Sequence, residues 1–468
     1  MFSNISQLLI KSNSPVSKKV LSIAWITLTI LACSCSNSKP VSAEADDIID
    51  KTPPKAKPIE DYVDGGAIRF ADHTYEEDIR TVQLYASGDP LSYPIIILGG
   101  IQRLELHFDD LGLDLDQYYY RIYHCDSDWN RSDIIEMQYI EGFFSDLVDD
   151  YDMSFNTLVP YVHYSTTFPN ESMRLKVSGN YVVVVTRDDD ESQPILSKRF
   201  MVVEPMVVVE ADVRQSLIAD DRRYKQLINF NVHHPTFPLN NPFRDIKAVI
   251  LQNWRWDRVI TDLKPIFLRD QMLEYRYDRG NDFWAGNEFR QFNISSTRYV
   301  SEQVVSVQRE GDRFVAQLSR DYKRSLQGYR TFEDINGRFL VRNTEGFNDI
   351  IESDYVDTRF ILDWPSAQDN GSFYIFGALS NWSINPDFKL RYDYDLEGYT
   401  CEVPLKQGFY EYEYVFLADK SDAIDELPIE GSYFETENDY TVLIYYQDIG
   451  VDFDRLIGLT TFSTRNRF

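Results

Sequence analysis

The feature that most constrains this chain is a series of short runs of β-branched and aromatic residues, each closed by a turn signal. Ile95-Ile96-Ile97-Leu98 stops at Gly99-Gly100. Arg103-Leu104-Glu105-Leu106-His107-Phe108 alternates cleanly and stops at Asp109-Asp110. Tyr118 to Tyr123, Tyr181 to Val185 and Gln226 to Val232 follow the same plan. Such residues fit a half-buried pleated surface, and runs of this length and period are strands. Beyond the N-terminal apolar stretch, no segment keeps a helical period for more than two or three turns, and none repeats at a fixed interval. Many short strands at close spacing predict an all-β fold of tandem sandwiches rather than a barrel or a solenoid. Hydrophobic residues make up 43% of the 468, enough to fill several such cores.

The N-terminus reads differently. Residues 1–32 hold Lys11, Lys18 and Lys19 and no acid. The apolar stretch Val20 to Ala32 is too short for a membrane span, which needs about 20 residues. It fits the core of a secretory signal peptide. Ile30-Leu31-Ala32-Cys33 resembles a bacterial lipobox, in which Cys33 becomes the lipidated first residue of the mature chain. The alternative is ordinary cleavage with Cys33 and Cys35 as bystanders. Residues 33–62 are polar and rich in Pro and Lys, the composition of a flexible tether. Only Cys125 and Cys401 remain beyond it, so no disulfide framework is expected and the domains must stand on their cores.

Two junctions divide the body. At Val203-Glu204-Pro205-Met206-Val207 two strand-like runs abut across a proline, which cannot donate to a ladder. Asn336-Gly337 is a hairpin signal, expected to close a strand pair around Phe332 to Val341, and the acidic stretch Asn348 to Asp354 follows it. The expected units are a first β-sandwich over 63–204, a second over 205–352 and a third over 353–468.

The net charge of −28 excludes a general nucleic-acid binder, which needs clustered Lys and Arg to neutralise phosphates. The six His show no zinc-protease spacing, and no Cys-x-x-Cys pair exists in the body, so no metal site is expected. Asp126-Ser127-Asp128-Trp129-Asn130 looks like the start of a calcium loop. Arg131 and Met137 stand where that loop needs Gly and Glu, so the favoured reading is a turn with Trp129 packed on the sheet. Asp109-Asp110, Asp149-Asp150 and Asp188 to Glu191 read as solvated loop tips. Nothing assembles a nucleophile, a base and a charge stabiliser, so neither catalysis nor a cofactor nor a small-molecule substrate is expected. Trp254-Arg255-Trp256 and Phe283-Trp284 admit two readings, core packing or a partner-binding patch, since Trp and Arg lead interface energetics.

The third unit carries Phe373-Tyr374-Ile375-Phe376-Gly377-Ala378-Leu379-Ser380-Asn381-Trp382 and later Gly408-Phe409-Tyr410-Glu411-Tyr412-Glu413-Tyr414. This pattern, with Gly377, Asn381 and Trp382 as its markers, resembles the immunoglobulin-like early-set domains found as glycogen-binding modules. The larger pattern is more specific. Tyr118-Tyr119-Tyr120-Arg121-Ile122-Tyr123-His124-Cys125-Asp126-Ser127-Asp128-Trp129, the Asn-Gly turn with Tyr355-Val356, and Phe373 to Trp382 together resemble the type IX secretion system plug proteins of Bacteroidetes. His124, Cys125, Asp126, Asp128 and Trp129 are the most diagnostic of these residues. The resemblance implies tandem immunoglobulin-like sandwiches and a non-catalytic role. It implies a protein that closes the periplasmic mouth of a giant outer-membrane β-barrel translocon when no substrate is passing. The partners would then be that barrel and, through Cys33, the lipid bilayer, with the chain on the periplasmic side of the outer membrane. The competing expectation is a carbohydrate-binding outer-membrane lipoprotein that uses the same third unit and the same exposed aromatics.

Overall fold

Strands dominate, and their burial explains their sequences. The computed structural model describes residues 68–113 and 115–465; the expected signal peptide, the tether and Cys33 lie outside the described residues. In the first sandwich one sheet runs His73–Thr74, Pro194–Val203, Gly179–Arg187, Tyr118–Cys125 and Ser145–Leu147, with Ile95–Ile97 added parallel to Pro194–Val203. It packs on a second sheet ordered Ile79–Ala86, Leu104–Asp110, Val162–Phe168 and Asp150–Met153. Leu104, Leu106, Phe108, Tyr181, Val183, Val185 and Phe200 fill the space between them.

The run Tyr181 to Val185 is apolar throughout because both faces of that strand are covered. Tyr181, Val183 and Val185 face the first core. Val182 and Val184 face outward, against Val249, Leu251, Leu443 and Leu456 of the middle sandwich. The same rule reads Ile246–Gln252 and Asp439–Tyr446: Ile246, Ala248, Ile250, Val442 and Ile444 enter the middle core, while their alternate residues enter this seam.

The middle sandwich joins Val208–Gln215, Lys225–His233, Met272–Tyr275 and Phe267–Arg269 with Asp282–Trp284 in one sheet. Its other sheet runs Arg255–Leu263, Ile246–Gln252, Asp439–Tyr446 and Arg455–Ser463. The third sandwich pairs Arg290–Asn293, Phe339–Val341 and Gly371–Phe376 with the long strand Gly408–Ala418. That sheet faces Val304–Glu310, Arg313–Leu318, Tyr355–Asp363, Gly398–Lys406 and Arg391–Asp393.

This pairing cuts the chain differently from the expected boundary at 352. The third sandwich is an insertion: the chain leaves the middle one after Trp284 and returns at Asp439. The acidic stretch Asn348 to Asp354 is a loop of the third sandwich, and Tyr161 of the first donates to its Ile350 and Ser353 carbonyls. The Asn336-Gly337 turn forms, with both φ angles positive, but joins no hairpin. Phe339–Val341 pairs with 408–410 instead. The Glu411 carboxylate accepts from the Ile335 and Gly337 amides, standing where a partner strand was expected. Among the described residues the α-helices have four residues each, and no helix is long and apolar enough to cross a membrane. The three sandwiches fall in one compact unit.

Candidate functional site

The diagnostic motif ends the strand Tyr118–Cys125 and turns against the middle sandwich. His124 is buried; its Nε2 donates to the Ser178 carbonyl (3.3 Å), so Nδ1 accepts from the Ser132 hydroxyl (2.7 Å). Burial lowers its pKa to about 4. A side chain at Gly179, where φ is +147°, would strike the imidazole. Asp126 accepts from the amides of Asp128 and Asn130 (both 2.9 Å) and from the Asn130 side chain, so the loop's own donors satisfy its carboxylate. Trp129, at φ +68°, meets Trp256 edge-on at 4.9 Å, and the buried Arg199 guanidinium lies 4.7 Å from the Trp129 ring. Cys125 is fully buried in the same seam, and Asn180 ties its polar edge by binding the Asp126 carbonyl and the Tyr445 hydroxyl.

The two aromatic patches turn inward. Asn253 and Trp254 both have positive φ and form the hairpin turn, so the strand starts at Arg255 and Trp254 is not part of it. Trp254 stacks on Tyr93 of the first sandwich at 4.7 Å and meets Trp256 at 6.1 Å. Arg255, 2% exposed, forks both oxygens of Asp257 (3.0 and 2.6 Å) and bonds Glu413 of the third sandwich (2.5 Å). Its guanidinium lies 4.8 Å from the Phe376 ring and 5.4 Å from Trp382. Trp382 also packs on Phe289, and a side chain at Gly337 (φ +75°) would collide with both rings. Gly377 and Asn381 shape the turn that delivers Trp382 there. Phe283 is buried in the middle core. Trp284 is half-buried beneath Lys225 and lines a cleft of about 410 Å3 between the middle and third sandwiches. As placed, Trp254, Arg255 and Trp256 bind the sandwiches to one another, Phe283 fills the middle core, and Trp284 keeps a partly open face on the cleft.

A node missed in the sequence joins the first sandwich to the third. Asp109 is not a solvated loop tip but a fully buried strand residue. Its oxygens accept from His163 Nδ1, the Tyr355 hydroxyl and Lys406 Nζ, each at 2.7 Å. Burial would raise the carboxyl, but Lys406 and His163 hold it below the usual range. Burial also pulls the Lys406 ammonium down. With three donors converging on its oxygens, the carboxylate is the anion and Lys406 its counter-charge. The available signal was the alternation Glu105, His107, Asp109, which marks one polar face of the strand; its coverage by another sandwich was not legible. Asp110 is buried too, accepting from Tyr118. A cleft of about 500 Å3 opens beside this node, lined by Arg80, Tyr355, Asn381, Asp387 and Lys406.

Where the chain crosses between the middle and third sandwiches, Glu288, Asp334 and Glu411 are buried together. Burial raises all three, and the Asp334 charge adds to the rise at Glu288 and Glu411, taking Glu411 to about 9. The folded chain therefore holds protons that the unfolded chain releases in the ordinary carboxylate range. Stability is expected to fall as pH rises from that range toward about 9. His107 and His124, both lowered to about 4 mainly by burial, act in the opposite sense. Their contribution is present above about 6.5 and lost as pH falls toward about 4. Unfolding followed across this range should show stability falling toward alkaline pH, most steeply above about 6.5 where the histidines no longer offset the carboxyls, and Glu411→Gln should flatten that fall. An unchanged alkaline slope would contradict the assignment.

Among the described residues no group of three His, Cys, Asp or Glu is arranged to hold a metal. Cys125 and Cys401 are free thiols whose pKa values burial raises, Cys401 to about 12.

The first sandwich, residues 79–204, matches the family model described as the type 9 secretion system plug protein first domain. The chain belongs to the type IX secretion system plug protein family. The plug-family match contains the whole His124–Trp129 turn, the Asp109 node's contribution from the first sandwich and that sandwich's own seam strands. The crystal structure of a hypothetical protein from Parabacteroides merdae is 33% identical with a TM-score of 0.81, over 85% of this chain and all of that one. Collagen adhesin from S. aureus aligns at 7% identity and a TM-score of 0.09, over 82% of this chain and 94% of that one, a likeness that carries no argument. No curated protein matches.

Proposed function

We propose that this chain plugs the periplasmic opening of the giant outer-membrane β-barrel translocon of the type IX system while no substrate is being exported. The family match of the first sandwich carries this reading. The packing fits it. Three sandwiches locked by buried ion pairs form a stiff body, which a pore stopper needs and a flexible string of domains would not provide. The role is non-catalytic and reversible, so the contact with the barrel is moderate in size rather than obligate. Lipidation at Cys33 on the periplasmic side of the outer membrane would hold the plug near the barrel at high effective concentration. A carbohydrate-binding role has no observation in its favour, because Trp254 is buried and Trp256 and Trp382 pack against other parts of the chain.

The test is a mild-detergent pull-down of the tagged chain from native outer membranes. Recovery of a very large β-barrel protein as the main partner is expected. Recovery of glycan-uptake proteins, or of lipid alone, would overturn the reading.

A further inference from the structure

One side of the first sandwich is left open. Ser145–Leu147 is the last strand of one sheet and Asp150–Met153 the last strand of the other. Among the described residues Asp150–Met153 pairs only with 162–165, so the outward amides and carbonyls of its free edge have no partner strand there. All four of its residues are exposed. Natural sheets blunt such edges with lysine, proline, bulges or a covering loop. This strand has neither lysine nor proline; its charges are the acids Asp150 and Asp152, which deter a second acidic edge but not a basic segment, and alongside them Tyr151 is 54% and Met153 59% exposed. Phe143 and Phe155 flank it, equally exposed. The Phe155 amide bonds the Ile351 carbonyl, which brings the third sandwich's exposed Phe347 loop alongside.

The charge on this edge is one-sided. Asp149, Asp150 and Asp152 are exposed and form no ion pair among the described residues. Along the strand acid and apolar side chains alternate as Asp150, Tyr151, Asp152, Met153. Successive side chains point to opposite faces, so an added strand would meet acids on one face and apolar groups on the other.

We propose that this edge receives an extended segment of a partner protein as a fifth strand, a segment whose side chains alternate basic and apolar. Strand addition takes affinity from main-chain hydrogen bonds and specificity from alternate side chains. A second copy of this chain fits poorly, because edge-to-edge pairing would set Asp150 and Asp152 against their own kind. The Lys-containing segment 51–57 of this chain carries Pro53 and Pro54, which cannot donate to a ladder. The inference deepens the plug reading by naming a contact, and it rests on that reading only for the identity of the partner.

The test uses the full chain and three synthetic octapeptides: alternating Lys and Val, the same with alternate backbone amides N-methylated, and alternating Glu and Val. The Lys–Val peptide should bind, protect the 150–153 amides from hydrogen exchange, and weaken as salt is raised. N-methylation, the Glu–Val sequence, and Asp150→Lys with Asp152→Lys should each weaken binding about tenfold or more. Equal binding of the N-methylated peptide would overturn the proposal, showing adsorption to an acidic surface without strand pairing. So would protection elsewhere in the chain, or dimerisation through the edge in sedimentation. Should the double variant fail to fold, the N-methyl comparison on the unaltered chain still decides. A failed barrel pull-down with these results intact would leave the strand-addition site standing and remove only its partner.

Discussion

Lys406→Met is expected to destabilise the folded chain by about 3–5 kcal/mol, the cost of breaking one side of a buried pair. Asp109 is fully buried and Lys406 2% exposed, so removing the ammonium strands a carboxylate that water cannot reach. His163 and Tyr355 still donate to it, but their hydrogen bonds do not replace the charge of the lost Lys406 Nζ. Adding Asp109→Asn to Lys406→Met should recover more than half of the loss, because no buried charge remains. The loss should be concentrated at the seam between the first and third sandwiches. Native-state hydrogen exchange in Leu104–Asp110 and Gly398–Lys406 reads it directly. A loss below about 1 kcal/mol would show that the pair is not the anchor described.

Arg255→Ala should cost a similar amount, about 3–5 kcal/mol, and should loosen the third sandwich from the middle one. Among the described residues the guanidinium is the only group placed to bond Asp257 and Glu413 at once, and Arg258 reaches Asp257 only at 3.8 Å. The two carboxyls differ. Burial raises Asp257, but the arginine overrides it and holds it low, whereas burial dominates at Glu413 and takes it to about 7. Glu413 can therefore take a proton once its partner is gone, and the variant's loss should be smaller in mild acid than in mild alkali. Arg255→Lys should fall between, since an ammonium cannot fork Asp257 and reach Glu413 together. A loss independent of pH would point to lost packing on Phe376 and Trp382 as the main effect.

The strands were legible because their periodicity is local. Tyr118–Cys125, Gly179–Arg187 and Tyr355–Asp363 stand where their apolar runs predict them. The continuous run Tyr181 to Val185 even announced burial on both faces, although not by what. What covers a face is set by distant chain. The return of Asp439–Tyr446 to the middle sheet, some 190 residues after its neighbour Ile246–Gln252, leaves no local mark. The acidic stretch before Asp354 gives no sign of its place against the first sandwich for the same reason. The buried anchors were hidden by composition: in a chain with 75 acids, Asp109, Asp257 and Glu413 carry no signal that separates them from solvated ones. The Trp254-Arg255-Trp256 patch was conspicuous, but its chemistry suits a seam inside one chain as well as an interface between two.

The plug reading is tested most directly by ion current through the purified outer-membrane translocon barrel in a planar bilayer. The chain is added to the periplasmic side alone. The account predicts that the current falls with saturable dependence on chain concentration and recovers when the chain is washed out. An undiminished current with the chain demonstrably bound to the barrel would contradict it.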